Sequence, residues 1–413
     1  MALLYFLPEI AAFLIFFMMA TQIAQVGAIL VLAQLGLVAL LIALRGRAAL
    51  DTALKWWPLL LAPILAPLSA LWSDTASATF RYGAQFLATA FLGVFLARLI
   101  PPRRFMIVFM LSMFLFCIAC ILYGRQGVSA EGPVLIGLTG SKNQMGYASQ
   151  LLILSALGVL LLKDVSQWLR WVAMAAMPLG LLVLLGVHSA TALLMAVGGA
   201  AILFVLWFSE RMAPGVRLAT LLGVSIMLVP LMLLIPEALQ AWDHFLYDTL
   251  DKDPTLTGRT FLWARADDLI ARRPWLGYGY QAIWMGDSTE TIALQRMTGI
   301  TDGRTFHFHH QFRQVAVDTG LIGLAAFCGA LIAVGFNGLR QLLLRPSTAT
   351  SFFFIVFALM TARGFTDVII SPLNVHMLLF YAACTYAFWK PETAPAMAPA
   401  FSWRRLRPAR LPG

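Results

Sequence analysis

The chain has 413 residues, of which 61% are hydrophobic and only 12% are charged. Ordinary soluble domains have about 45–50% apolar and about 25% charged residues, so this composition excludes a soluble globular protein. A transmembrane helix uses about 20 apolar residues, and the chain has room for twelve of them. The apolar runs are continuous rather than alternating, which argues against a β-barrel and predicts an all-α polytopic membrane protein.

Apolar runs along the chain predict about twelve transmembrane helices. The first run reads as a span, because no basic segment precedes it and no small-residue cleavage site follows it. The predicted spans are 3–19, 26–44, 55–73, 80–100, 105–123, 143–162, 171–187, 190–209, 217–236, 318–338, 348–365 and 371–389.

Lysine and arginine in the short connections predict the orientation, since cytoplasmic loops carry an excess of these residues. With a cytoplasmic N-terminus, most of them fall inside, and the short outer connections hold only Arg81, Arg125, Lys142 and Arg363. Both termini are therefore predicted to be cytoplasmic. The net charge of +10 fits this topology and attraction to anionic membrane lipid, so no nucleic-acid partner is expected.

Four regions follow from this layout. Spans 1–9 form a bundle over residues 1–236, and residues 237–309 form a large hydrophilic outer loop with amphipathic helices. Spans 10–12 occupy residues 310–390, and residues 391–413 form a basic tail that is predicted to be disordered. No internal repeat relates the halves, unlike many secondary transporters.

The outer loop contains GRTFLWARADDLIARRPWLGYG at residues 258–279. Thr260 to about Arg272 predicts an amphipathic helix that Pro274 and Gly277 terminate. Arg259 lies at the start of this helix, where backbone N–H groups and a guanidinium together favour an anion such as phosphate. A solvated interfacial arginine is the alternative interpretation.

The loop ends in HFHHQF, residues 307–312. Three histidines in four residues could bind zinc, but no closing ligand stands at a typical spacing, so no metal is predicted. A solvated turn is a second interpretation. The third is a general base at the membrane face, for which the pKa of histidine is suited.

Other polar groups lie at the predicted outer ends of spans, where ionisable residues suggest function. They are Arg81, Arg125, Lys142, Asn143, His188, Arg363 and Asp367. Their shared location predicts one cavity for an anion. GLTGSKNQMG lacks the order of a phosphate-binding P-loop, although its glycines permit close approach of a ligand to the backbone.

Several of these segments resemble the O-antigen ligase/polymerase superfamily, which includes Wzy-type polysaccharide polymerases and WaaL-type ligases. GLTGSKNQMG is similar to a glycine-flanked K-N turn of exopolysaccharide polymerases. GRTFLW with RRPWLGYGY, and HHQFRQVAVDTGLIGL, resemble two further signatures of the superfamily. The remaining similar segments are LSALWSDTASATFR and HSATALL.

This resemblance implies a twelve-span fold, likened to the GT-C glycosyltransferases. It also implies an enzyme that acts on undecaprenyl-pyrophosphate-linked glycans at the periplasmic face of the bacterial inner membrane, with no cofactor and no required metal. A loop histidine would activate the acceptor hydroxyl. His309 takes the histidine place and His310 the place usually held by asparagine, which leaves both open as the base.

The resemblance assigns pyrophosphate binding to Arg259, with Lys142, Arg125 and Arg363 as further candidates. Asn143, Arg81, His188 and Asp367 are candidates for supporting roles. Direct displacement of the pyrophosphate would invert the anomeric centre. Chain-length regulator and export proteins are additional candidate partners.

Three functions remain open from the sequence. A polymerase that joins lipid-linked repeat units is favoured by the K-N turn. A ligase would transfer the glycan to lipid A-core or to a protein. A transporter for a lipid-linked sugar is disfavoured because the outer loop is large and the charges cluster at outer ends.

Overall fold

The computed structural model describes residues 6–129, 132–223, 226, 257–300, 305–368 and 370–390. Most of the predicted ninth span, the first part of the predicted outer loop and the predicted basic tail lie outside these ranges. The described chain is predominantly helical, as the composition predicts.

The elements follow one another in chain order, with residues 214–223 also helical. They are α1 (Leu7–Ala20), α2 (Ala24–Trp56), α3 (Leu61–Leu68), α4 (Ala76–Leu99), α5 (Pro102–Tyr123), β1 (Arg125–Ser129), β2 (Gly132–Gly137), α6 (Lys142–Leu161), α7 (Gln167–Val187), α8 (Ala190–Ser209), α9 (Thr257–Arg272), α10 (Thr289–Met297), α11 (Gln311–Leu344), α12 (Thr348–Arg363) and α13 (Val375–Tyr386).

The fold is that of an all-α polytopic membrane protein. Within the described ranges, seven helices are long and apolar enough to cross a membrane, and α1, α3 with its following turn, α12 and α13 are shorter apolar helices. Helix α6 is the most enclosed of the seven, and it contacts α5, α7, α8 and α12. Helix α2 is the least enclosed, so its apolar side chains are available to lipid.

The helices in the region of the predicted second and third spans differ from the prediction. Residues 24–56 form one helix, bent at Arg45, where the prediction placed a loop between two spans. No proline occurs in this stretch, and the basic residues stay on an exposed helix surface, so the helix continues. The predicted third span begins within α2 and continues as α3 and a 3₁₀ turn at Ser69–Leu71.

A β-hairpin, absent from the predicted elements, joins α5 to α6. Strands β1 and β2 pair antiparallel, with Arg125 opposite Gly137 and Ser129 opposite Gly132. Arg125 donates from Nη2 to the carbonyl of Thr139 at 2.8 Å, and Ser141 then caps α6 by accepting from Gln144 N. The hairpin therefore fixes where α6 begins.

Helix α11 is broken at Gly320, which has φ 68° and ψ −170°. This conformation is essentially restricted to glycine. A Cβ at Gly320 would lie 2.1 Å from the carbonyl oxygen of Trp275, so glycine is also required by the close approach of another segment.

That segment is PWLGYGY, residues 274–280. Its backbone forms hydrogen bonds with the backbone of the broken turn in α11. Leu321 N donates to Pro274 O at 2.7 Å, Tyr278 N to Val317 O at 2.9 Å, and Gly279 N to Asp318 O at 2.8 Å. These bonds occupy groups that the helix break leaves without helical partners.

A third segment, residues 69–75, holds the same loop from the other side. Trp72 Nε1 donates to Leu276 O at 2.9 Å, and Tyr280 N donates to Ser69 Oγ at 2.8 Å. We call the three segments, 69–75, 274–280 and 317–322, the glycine frame. Three stretches that are distant in sequence are thus fixed together next to the histidine run.

Candidate functional site

The histidine run is held by a small hydrophobic core under the loop. Phe308 is fully buried there and packs on Trp284, with ring centroids 4.9 Å apart. Phe308 N also donates to Gln314 Oε1 at 3.1 Å. Because Phe308 points inward, its neighbours His307 and His309 lie at the partly exposed surface of this core.

His309 is paired with a carboxylate from the loop after α12. Its Nδ1 lies 3.2 Å from Asp367 Oδ1, and the Tyr147 hydroxyl of α6 donates to Asp367 Oδ2 at 3.0 Å. Asp367 is buried, whereas His309 keeps partial exposure. His309 also adopts φ 49°, a left-handed conformation that is uncommon outside glycine.

Asp367 is ionised over the physiological pH range. Burial alone would raise its pKa, but the hydrogen bond with His309 and the nearby His307, His309 and Arg363 charges lower the pKa to about 2. An ionised carboxylate only accepts hydrogen bonds. The proton of neutral His309 therefore lies on Nδ1, and Nε2 carries the lone pair that can take a proton.

His307 is a second member of this cluster. Its ring centroid lies 4.3 Å from that of His309, and its Nδ1 accepts from His309 N at 3.2 Å. Desolvation, followed by the charge of His309, lowers the pKa of His307 to about 4, against a partial opposing effect of Asp367. His307 is therefore neutral near pH 7, with its proton on Nε2.

His310 has a different environment. Its Nδ1 accepts from Arg313 N at 3.3 Å and so caps the N-terminus of α11. Its ring packs edge-on against Trp263, and burial followed by the charge of Arg313 lowers its pKa to about 4. The capping nitrogen is occupied, which gives His310 a structural contact that His309 lacks.

Arg259 reaches the same loop from α9. Its Nη1 donates to Thr366 O at 3.2 Å, one residue before Asp367. Its charge also contributes to the low pKa of His307. The side chain is partly exposed, so the guanidinium retains donors for a ligand. The helix predicted from Thr260 to about Arg272 is observed as α9, and Arg259 lies in its first turn.

Arg363 lies behind Tyr147, deeper in the bundle. Its guanidinium stacks over the Tyr147 ring and is buried. Its Nε and Nη1 have no hydrogen-bond partner among the described residues, and neither has Nε2 of the nearby buried His376. Arg363 therefore supports the Tyr147–Asp367 contact from the interior.

The remaining predicted residues do not contact His309 within the described chain. Arg125 is bonded to Thr139 O, and Arg81 donates to the hydroxyl of its neighbour Tyr82 at 2.8 Å. Lys142 and Asn143 form the first turn of α6. His188 ends α7 in a left-handed conformation and is exposed.

The cluster also has a donor set of the kind that metals use. One ligand atom each from His307, His309 and Asp367 lie within 4.8 Å of one another. However, Asp367 already accepts from Tyr147 and Val368 N, and His307 Nδ1 accepts from His309 N. We assign no metal to this site.

Tyr147, His307 and His376 were not among the predicted site residues. Tyr147 lies in an apolar helix, where its hydroxyl could have marked it as a polar group in need of a partner. His307 belongs to the histidine run that was recognised, but local sequence does not reveal that it contacts His309.

Together, fold and site define a class: a polytopic helical membrane protein with a carboxylate-paired histidine beside a partly exposed arginine. A family model described as "O-Antigen ligase" matches residues 175–328, which include Arg259 and the histidine run. The chain is also 28% identical over 368 residues to the exopolysaccharide production protein ExoQ of Rhizobium meliloti (strain 1021), covering 87% of this chain and 83% of the relative. The chain is thus similar to members of the O-antigen ligase/polymerase superfamily, both in the segment that carries Arg259 and the histidine run and over most of its length.

Proposed function

We propose that this protein is a polysaccharide polymerase. It transfers a glycan from undecaprenyl pyrophosphate to a hydroxyl of another lipid-linked repeat unit. The reaction takes place at the periplasmic face of the bacterial inner membrane. The observation that carries this proposal is the 3.2 Å contact between His309 and Asp367, made at a partly exposed site with Arg259 beside it.

His309 acts as the general base. Asp367 orients the imidazole, holds the Nδ1 proton and stabilises the imidazolium that forms when Nε2 takes the proton of the acceptor hydroxyl. Tyr147 fixes the carboxylate from its other oxygen. His310 is the weaker candidate for the base, because its Nδ1 is occupied by the helix cap.

Arg259 binds the pyrophosphate. Negative charge grows on the leaving group as the glycosidic C–O bond breaks, and a guanidinium can neutralise it with two parallel hydrogen bonds. Pyrophosphate is already a good leaving group, so positioning and charge suffice and no metal is required. One direct displacement inverts the anomeric centre, and an NMR spectrum with retained configuration in the product would contradict this step.

The other predicted cations have contacts that support structural roles more than pyrophosphate binding. Arg363 is buried beneath Tyr147, and Arg125 is bonded to the turn before α6. Lys142, near Asn143 in the first turn of α6, remains a candidate for a second phosphate contact. Arg81, His188 and Asp367 remain candidates for support of the site, and Asp367 has the contacts for it.

A polymerisation assay tests this function. Purified protein in lipid would receive an undecaprenyl-pyrophosphate oligosaccharide from the native host, and the products would be separated on a gel. Wild type should give a ladder of lipid-linked products, and His309→Ala should lose at least about 100-fold in rate. The matched control is His310→Asn, since asparagine is a good N-cap and should preserve both helix and ladder.

A ligase is the second candidate, because the matched family model is described as an O-antigen ligase. It would give no ladder alone and a single transfer when lipid A-core is added. If an active donor yields neither product, both glycosyltransferase functions are contradicted, and lipid flipping becomes the next activity to measure. A flippase would tolerate His309→Ala.

A further inference from the structure

A cavity of about 320 Å³ lies beside the histidine cluster and is not used by the mechanism above. It is enclosed by α3, α4, α11 and the loops around residues 280 and 370. Phe306 and His307 form part of its wall. The cavity therefore reaches a residue whose ring contacts His309, with centroids 4.3 Å apart.

The cavity lining is mostly apolar, and most of its polar side chains are uncharged. Its polar side chains include Tyr82, Gln85, Tyr280, Gln281 and Gln314, and none of the described lining residues is lysine or arginine. Asp318 is the one lining carboxylate, and it accepts from Gln314 Nε2 and from Gln281 N. This carboxylate is therefore already occupied by protein donors.

Three polar side chains in the wall are free of the hydrogen bonds that hold the local backbone. Gln85, Gln281 and Tyr280 make their described hydrogen bonds through backbone atoms, and their side-chain amides and hydroxyl line the cavity. A primary amide offers two donors and one acceptor oxygen, and a phenol offers one of each. Polar groups are costly to desolvate when they have no hydrogen-bond partner. A ligand with several hydroxyls would form hydrogen bonds with these groups.

The wall also provides an aromatic surface. Phe86 and Tyr280 are packed with ring centroids 5.0 Å apart, and both line the cavity. Flat aromatic faces combined with amides suit a pyranose ring, which has apolar C–H faces and polar edges. The volume lies at the small end of the range of about 300–1,000 Å³ for ligand pockets.

Other occupants fit less well. A polyprenyl tail would leave the amides and the hydroxyl without partners. Pyrophosphate would lack a cation in the described lining, whereas Arg259 offers one elsewhere at the site.

We propose that this cavity is the acceptor subsite, which binds one uncharged pyranose ring of the acceptor glycan through Gln85, Tyr280 and Gln281. This inference rests on the proposed glycosyltransferase function. It places the reacting hydroxyl at the cavity rim near His307 and His309. These three residues are specificity and positioning residues, and the proton transfer belongs to His309.

The test separates acceptor binding from donor chemistry. The acceptor probe is the repeat-unit oligosaccharide freed of its lipid, titrated at saturating undecaprenyl-pyrophosphate donor. Gln85→Leu and Tyr280→Phe should each raise the KM for this acceptor by about three- to ten-fold, the effect of one lost neutral hydrogen bond. Hydrolysis of the donor without acceptor should fall by a smaller factor than the one by which the acceptor KM rises.

Matched controls remove the same groups away from the cavity. Gln167→Leu, at the exposed start of α7, and Tyr123→Phe, at the exposed end of α5, should leave the acceptor KM unchanged. A second measurement avoids catalysis: saturation-transfer NMR should detect the free oligosaccharide on His309→Ala, and adding Gln85→Leu should weaken that binding.

The outcomes distinguish a failure of the proposed acceptor subsite from a failure of the proposed glycosyltransferase function. If wild type transfers but both cavity variants keep the wild-type acceptor KM, the subsite is refuted while the enzyme stands. Equal losses in donor hydrolysis and acceptor KM would also refute it, because they indicate general damage. If wild type neither transfers nor hydrolyses an active donor, the proposed function fails, and the subsite with it.

Discussion

At the end of the bundle that carries Arg217, a buried guanidinium has every nitrogen paired. It donates to Ser209 O at 3.2 Å, Leu343 O at 2.6 Å and Met212 O at 2.9 Å, with a longer contact to Glu210 O. Ser209 and Leu343 lie in the last turns of α8 and α11, and Glu210 and Met212 directly follow α8. Carbonyl groups at the C-terminal end of a helix attract positive charge.

At the end that carries His309, the buried polar groups are incompletely paired. Arg363 leaves two nitrogens without partners in the described chain, and His376 leaves Nε2. His309 and Asp367 come together on loops, and Arg259 reaches them from the first turn of α9. A cluster whose buried polar groups all have hydrogen-bond partners stabilises the fold. A cluster with unpaired polar groups can still form hydrogen bonds with a ligand. We therefore expect a structural role for the Arg217 end, and the proposed chemistry at the His309 end.

The glycine frame gives the largest expected effect. Gly320→Ala would place a Cβ at 2.1 Å from Trp275 O in a backbone conformation that alanine does not adopt, so the frame should come apart. We expect a loss of about 4 kcal/mol or more in stability, with low yield and no polymer ladder. Thermal unfolding in detergent, followed by circular dichroism, measures it.

The control is Gly299→Ala, a glycine with φ 67° and no atom within 4 Å of the added Cβ. It tests the backbone strain alone and should cost about 1 kcal/mol. If both substitutions behave alike, the close approach of residues 274–280 to α11 does not stabilise the site.

Asp367→Asn should have the next largest effect, on activity rather than on stability. The amide has the same shape but cannot stabilise the imidazolium or fix the Nδ1 proton, so kcat should fall by about 100- to 1,000-fold. The rate of ladder formation measures this effect. Asp74→Asn, an exposed carboxylate 3.5 Å from Arg273, should retain activity within two-fold.

A normal rate for Asp367→Asn would contradict the assignment of the base to a carboxylate-paired histidine. Tyr147→Phe provides a graded version of the same experiment, because it removes only the 3.0 Å bond to Asp367. We expect a loss of about ten-fold, since the carboxylate stays but is less well held.

Local patterns predicted much of the fold and the chemical types in the site. The continuous apolar runs predicted the helices, and the loop helix predicted from Thr260 is observed, beginning three residues earlier at Thr257. The site roles of Arg259 and of the histidine run stay predictions. Each of these signals depends on residues that are close in sequence.

The unpredicted features depend on pairing between distant residues. Asp367 contacts His309 across 58 positions and Tyr147 across 220, and neither spacing has a periodic signature. His309 and His310 are adjacent, yet only the backbone conformation decides that His310 caps α11. The β-hairpin was missed because a short glycine-rich connection resembles a plain loop until its strands pair.

Arg217→Met should lower stability without altering the chemistry. Methionine keeps the aliphatic packing but leaves buried carbonyls unpaired, which should cost about 3 kcal/mol. Thermal unfolding measures the loss, and ladder formation per folded molecule should remain at the wild-type rate. Arg211→Met is the control: Arg211 is exposed over the Trp207 ring and should contribute less than about 1 kcal/mol.

If Arg217→Met instead abolished activity while the protein kept normal stability, the assignment of a purely structural role to the Arg217 end would be wrong. Arg217→Lys sharpens the test. A lysine keeps the charge at the helix ends but cannot reach all the carbonyls at once, so its stability should fall between those of wild type and Arg217→Met.

The smallest expected effect is the pH dependence of stability at the His309 end. The pKa values of His307 and His310 are lowered from 6.5 to about 4, first by desolvation. Between these values the unfolded chain binds more protons than the folded protein, so stability falls as the pH falls from about 6.5 towards 4. The melting temperature should therefore be a few degrees lower at pH 5 than at pH 7.

In His310→Asn, which keeps the cap but has no titrating ring, this difference should shrink. An unchanged difference would show that His310 is already accessible to protons in the folded protein, and the case for its purely structural role would be lost.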